Sequence, residues 1–152
     1  MAWFVNMAIE CEEEAVAENI AAAYEGRTVV TSKHEIDPYK VETAFVNDLW
    51  YVYIEPRGLG WNEGPRNDEL TTKDSKKEIR EELYKTLKEF SGYRRAIFDE
   101  EAYDGLSCWS DPSDLYTYNW PDMIVADHLV KDPDLRKKMS VFTEGFLRYP
   151  PR

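Results

Sequence analysis

Two runs rich in apolar, β-branched and aromatic residues, Val41–Val46 and Leu49–Glu55, lie on either side of Asn47-Asp48. Asn and Asp tolerate the positive φ of a two-residue hairpin turn, so the chain is expected to reverse there. Reversal sets Val46 against Leu49, Phe45 against Trp50, Thr43 against Val52 and Val41 against Ile54. Opposed strand residues point to the same side, so Phe45, Trp50, Thr43, Val52, Val41 and Ile54 share one nearly apolar face. A one-residue slip would scatter that face, which specifies the register. The hairpin over 41–54 is the predicted centre of the fold.

Upstream, Trp3–Glu10 alternates, with Trp3, Val5, Met7 and Ile9 on one side and Phe4, Asn6, Ala8 and Glu10 on the other, the period of a strand. Glu12, Glu13 and Glu14 crowd the first turn of a helix over about 12–25, where carboxylates suit the positive end of the dipole. Val16, Ile20, Ala23 and Tyr24 form its stripe, and Gly26 stands where a left-handed cap belongs. Thr28–Ser32 reads as a second short strand, reached by a crossover expected to be right-handed. Glu55–Leu70 is a long loop rich in Gly and Pro, with Trp61 as its anchor.

Ser75 and Glu78 suggest a capping box for a helix over about 75–90, with Ile79, Leu83, Leu87 and Phe90 as its stripe and its Lys and Glu residues as a solvated face. Arg94–Phe98 reads as a strand at a sheet edge. Asp99–Trp120 is irregular and turn-rich. Two more helices are predicted, one at about 122–130 entered through Pro121 and one at 133–148 with the stripe Leu135, Met139, Phe142 and Phe146. The predicted class is α+β: a mainly antiparallel sheet of four to five strands around the hairpin, packed by these four helices, in a single domain over 1–152.

A chain of 152 residues is long enough to bury roughly 70% of its unfolded surface. It has no apolar run of membrane-spanning length, and its start lacks the basic and apolar regions of a signal peptide; a cytoplasmic location without membrane contact is expected. Cys11 and Cys108 are then expected to be free, buried thiols. The net charge of −11 argues against nucleic acid and for a basic partner. Its placement is uneven. Met1–Gly26 holds six acids and no Lys or Arg; Ala96–Val130 holds eight, again with none. The second stretch also carries Phe98, Tyr103, Trp109, Tyr116, Tyr118 and Trp120, rings suited to anchoring a contact that carboxylates steer.

Catalytic signatures are missing. His34 and His128 are too few for a histidine-rich metal site. Gly58, Gly60 and Gly64 are spaced one residue too long for a dinucleotide fingerprint, and no Gly-Lys-Ser/Thr follows. Counting an EF-hand from Asp99 puts Tyr103 at a ligand position and Gly105 one place late. Cys108 with His128 as its base has no spacing to support it. No catalytic residue, cofactor or metal is therefore predicted.

At the level of class, a small, acidic, aromatic-rich α+β chain without a catalytic signature resembles the immunity proteins that bacteria make against polymorphic toxins. That resemblance implies an acidic surface occluding a basic, nuclease-type active site. The expected function is an acidic protein-binding module that neutralises or regulates a basic partner such as a toxin domain. Its charged contacts are expected at Asp99, Glu100, Glu101, Asp104, Asp111 and Asp114, with Trp109, Tyr116 and Tyr118 as anchors. Two other readings stay open: a small enzyme or ligand binder using the Gly58–Gly64 loop and the Tyr51/Tyr53 face, and a structural subunit whose Tyr-rich face pairs with a copy of itself.

Overall fold

Val5–Cys11 forms strand β1, and every residue in it is buried. Its alternation serves two cores: Val5, Met7, Ile9 and Cys11 enter one, Ala8 the other. That places β1 inside a sheet covered on both faces. The computed structural model describes residues 5–59, 68–100, 102–103 and 122–151, with the side chains of Pro38 and Tyr39 left aside. Its further elements are α1 (Glu14–Tyr24), β2 (Val29–Val30), β3 (Glu35–Ile36), β4 (Pro38–Val46), β5 (Leu49–Pro56), α2 (Lys73–Leu87), β6 (Tyr93–Glu100), β7 (Ile124–Ala126), α3 (Pro133–Lys138), β8 (Ser140–Thr143) and β9 (Phe146–Arg148). Among the described residues the chain is α+β, with a seven-stranded antiparallel sheet in the order β4-β5-β1-β6-β7-β9-β8; β2 and β3 form a separate ribbon.

The hairpin of β4 and β5 pairs in the predicted register, Val46 with Leu49, Phe45 with Trp50, Thr43 with Val52 and Val41 with Ile54. Asn47 and Asp48 take φ of 51° and 63°, as a two-residue turn requires. Helix α1 lies across β1, β4 and β5. It buries Ala17, Ile20 and Tyr24, and Gly26 follows it at φ 71°. Helix α2 buries Ile79, Leu83 and Leu87. It serves the other half of the sheet: the Tyr84 hydroxyl accepts from the Phe98 amide at 3.2 Å and donates to the Asp122 carbonyl at 2.9 Å.

Several expectations are corrected. The sheet has seven strands rather than four to five, and the 41–54 hairpin stands at its edge rather than its centre, because β5 pairs onward with β1 while β4 pairs only with β5 among the described residues. The strand at Tyr93–Glu100 is interior, between β1 and β7, and its arginines are tolerated there because Glu10 on β1 stands beside them. The helix expected at 122–130 is strand β7 followed by a 3-10 turn over Asp127–Leu129; the β-branched Ile124 and Val125 suit a pleated strand better than a helix. The helix expected over 133–148 stops at Lys138, and the remainder is the β8–β9 hairpin, turned at Gly145 with φ 83°. Every described strand pair is antiparallel, so the expected crossover does not form. The capping box at Ser75 is replaced by Thr72, whose hydroxyl accepts from the Ser75 amide; Glu78 instead takes the Ser32 amide and hydroxyl. Trp61 and Pro121 lie outside the described residues.

Candidate protein-binding surface

Among the described residues, Glu10 on β1 is the most deeply buried charged group, with no exposed surface. A bulge between Glu10 and Cys11 lets two consecutive residues of β6 reach it. Arg95 donates from Nε at 3.0 Å and from Nη2 at 2.6 Å, Arg94 from Nε at 3.0 Å, and the Tyr51 hydroxyl at 3.0 Å. Arg94 also reaches Glu12 at 2.8 Å. Burial works against the Arg94 charge, yet the hydrogen bonds to Glu10 and Glu12 hold its pKa above the ordinary value. This cluster uses two of the six acids of the first acidic stretch.

The other four behave differently. Glu13, Glu14, Glu18 and Glu25 are exposed, and among the described residues none has an ion-pair partner. Alternating demands on α1 place them there. Its inner side is pinned by Ala17, Ile20 and Tyr24, whose hydroxyl donates to the Leu83 carbonyl at 2.7 Å, so the positions between face outwards. Glu14 and Glu18 stand one turn apart, a like-charge pair that costs an isolated helix about 0.2–0.5 kcal/mol. Glu25 caps the C-terminus, where the dipole favours a cation, and no basic residue occupies the last turn. Glu13 and Glu14 stand at the positive end of the dipole, which favours them, whereas Glu18 and Glu25 gain nothing from α1.

On the same side of the sheet, Phe45 packs on Trp50 with ring centroids 5.0 Å apart. Phe45 is 56% exposed, one of three large apolar side chains so exposed among the described residues. It sits on β4, the outermost strand.

The residues singled out in the second acidic stretch fare otherwise. Asp99 and Glu100 end β6 on opposite faces of the strand. The Asp99 carboxylate accepts from the Glu100 amide at 2.8 Å, and Glu100 pairs with Lys76 at 3.4 Å. Asp122 takes Arg148 at 2.9 Å and Arg80 at 3.4 Å, and Asp127 takes Arg136. Of the four described acids in Ala96–Val130, three are thus matched by cations from other parts of the chain. Asp99 and Asp122 line a groove of about 690 Å³ that also holds Lys73, Lys77, Arg80 and Arg148, so its lining is mixed in sign. Glu101, Asp104, Trp109, Asp111, Asp114, Tyr116 and Tyr118 lie outside the described residues.

The Tyr51/Tyr53 face is occupied from within. Both rings pack edge-on against Tyr103, at 6.1 and 5.4 Å, and the Tyr53 hydroxyl donates to Glu55. Cys11 is a free, buried thiol whose pKa is pushed up to about 12 by burial and then by Glu10. Cys108 lies outside the described residues. Among the described residues no group of three or more His, Cys, Asp or Glu is placed to hold a metal, and no helix is long and apolar enough to cross a membrane. No family model, curated protein or solved structure matches the chain.

The unpaired row on α1 was missed as a site although its signal was present. Twenty-six residues without Lys or Arg hold these acids, but the helix dipole seemed to account for Glu12–Glu14. In the structure α1 begins only at Glu14, and Glu13 at the N-cap makes no side-chain capping bond.

Proposed function

We propose that this chain is a protein-binding module that neutralises or regulates a basic partner, in the manner of a bacterial immunity protein acting on a toxin domain in the cytoplasm. The observation that carries this reading is the set of exposed α1 carboxylates, Glu13, Glu14, Glu18 and Glu25, without an ion-pair partner among the described residues, on the side of the sheet that also carries the Phe45–Trp50 ring pair. Rings supply desolvated anchors and carboxylates supply steering, the division of labour found in steered protein interfaces. In this reading Asp99, Glu100, Glu101, Asp104, Asp111 and Asp114, with Trp109, Tyr116 and Tyr118 as anchors, are proposed contacts in addition to α1. The internal use of Tyr51 and Tyr53 weighs against a ligand pocket or self-pairing built on their face.

The test is co-expression with the product of an adjacent gene, scored by growth, followed by capture of that product on the immobilised chain. Binding should weaken as NaCl rises, and the quadruple reversal of Glu13, Glu14, Glu18 and Glu25 to Lys should slow association by about tenfold or more without unfolding the chain. Association unchanged by both salt and reversal would remove this function.

A further inference from the structure

We propose that the basic partner docks by adding an extended strand to the edge of β4, which is unpaired among the described residues, with its Lys or Arg side chains directed toward α1. This rests on the basic-partner reading and specifies how that partner is held.

The edge is built for it. In a hairpin closed by a two-residue turn, Val46 and Leu49 exchange both hydrogen bonds, and so do Ala44 with Tyr51 and Glu42 with Tyr53. Val41, Thr43 and Phe45 fall in the intervening pairs, so their N–H and C=O groups point away from β5, toward the outer edge of the sheet. Edge strands are commonly guarded by bulges, prolines or inward charges. Here the irregularity is confined to Pro38–Lys40, and Lys40 is matched by Glu42 at 3.3 Å, leaving Val41–Val46 regular. The opposite edge, β8, is four residues long, bulged between Val141 and Thr143, and preceded by Arg136, Lys137 and Lys138.

Charge decides the occupant. A second copy joined β4 to β4 about a two-fold axis would keep both α1 helices on one side of the joined sheet. Each brings Glu13, Glu14, Glu18 and Glu25 without a paired cation among the described residues, so the copies repel. A strand with basic residues at alternate positions meets the same carboxylates favourably, and its cations also gain the face of Phe45.

The experiment titrates the full chain, by amide-resolved NMR, with a synthetic peptide of alternating Lys and Val. A second peptide of the same charge carries N-methyl groups on the amides that would face β4. The amides of Val41, Thr43 and Phe45 should shift and exchange more slowly with solvent. N-methylation, and Thr43→Pro in the protein, should each weaken binding about tenfold. Thr43→Pro removes an N–H that serves no bond to β5; if that variant nevertheless unfolds, the N-methylated peptide alone carries the test. Loss of binding on reversing Glu14 and Glu18, with no effect of N-methylation or of Thr43→Pro, would overturn edge docking and leave the acidic surface standing. Indifference to all of these would overturn both. A free chain that sediments as a dimer and is dissociated by Thr43→Pro would overturn the proposal in favour of a second copy.

Discussion

Replacing Glu10 by Gln tests the account of the sheet most directly. The exchange keeps the shape and an acceptor for Tyr51 but removes the charge that Arg94 and Arg95 share. Arg94 retains Glu12 at 2.8 Å, so its loss is partial. Arg95, with its side chain 6% exposed, is left without a carboxylate among the described residues. Stranding one buried partner of an ion pair costs about 3–5 kcal/mol. Against a total of about 5–15 kcal/mol for an ordinary domain, that is roughly a fifth of the stability or more. At about 2–4 °C per kcal/mol the Tm should fall by roughly 6–20 °C. Urea unfolding followed by tryptophan fluorescence should show a lower midpoint with an unchanged m-value. The double variant Glu10→Gln/Arg95→Met should recover most of the loss, because removing both members of a buried pair is close to neutral. A Glu10→Gln protein within about 1 kcal/mol of the parent, or a double variant as unstable as the single, would refute the assignment.

Three other outcomes are expected. The Glu81 carboxyl lies below its usual 4.5, first because Arg148 hydrogen-bonds it. Its contribution is therefore complete above pH 4.5 and is lost as pH falls through the lowered folded value; Glu81→Gln should flatten the acid limb of stability against pH, and an unaltered limb would contradict this. Gly145→Ala meets no atom within 4 Å but must adopt φ 83°, so it should cost about 1–2 kcal/mol by chemical unfolding through backbone strain alone. Glu25→Lys replaces an anion at the negative end of α1 and should stabilise the chain by about 0.3–1 kcal/mol at low salt while weakening partner binding; a thermal melt showing destabilisation would mean that Glu25 serves the fold.

What could be read from the sequence was local. The hairpin was legible because turn chemistry and cross-strand pairing both lie within Val41–Ile54, and α1 and α2 because each buries one stripe at helical spacing. The spacing of Leu135, Met139, Phe142 and Phe146 looked equally helical, yet these residues serve opposite faces of the sheet. Leu135 and Met139 pack on one core, whereas Phe142 and Phe146 belong to the other. Periodicity reports that residues are apolar at an interval; it does not report whether one surface collects them. β-Branched Val141 and Thr143, with Gly145 beyond, carried the contrary signal.

Charge compensation was less legible still, because it is settled by contacts distant in the chain. Arg95 finds Glu10 across 85 positions, Arg148 finds Glu81 across 67, and Glu100 finds Lys76 across 24. An absence of Lys and Arg within Ala96–Val130 therefore said little about whether its acids stay unpaired. The same logic gives α1 its weight. Helix α1 packs on β1, β4 and β5 of one sheet; Arg94 and Arg95 on β6 are taken by Glu10 and Glu12, and Arg27, just past the C-terminus of α1, is taken by Glu89. Among the described residues the four carboxylates beyond Glu10 and Glu12 find no cation, and Glu18 and Glu25 gain nothing from the helix that carries them. Under the proposed docking, these carboxylates and the outward-facing amides of β4 would meet a partner that brings both cations and a strand.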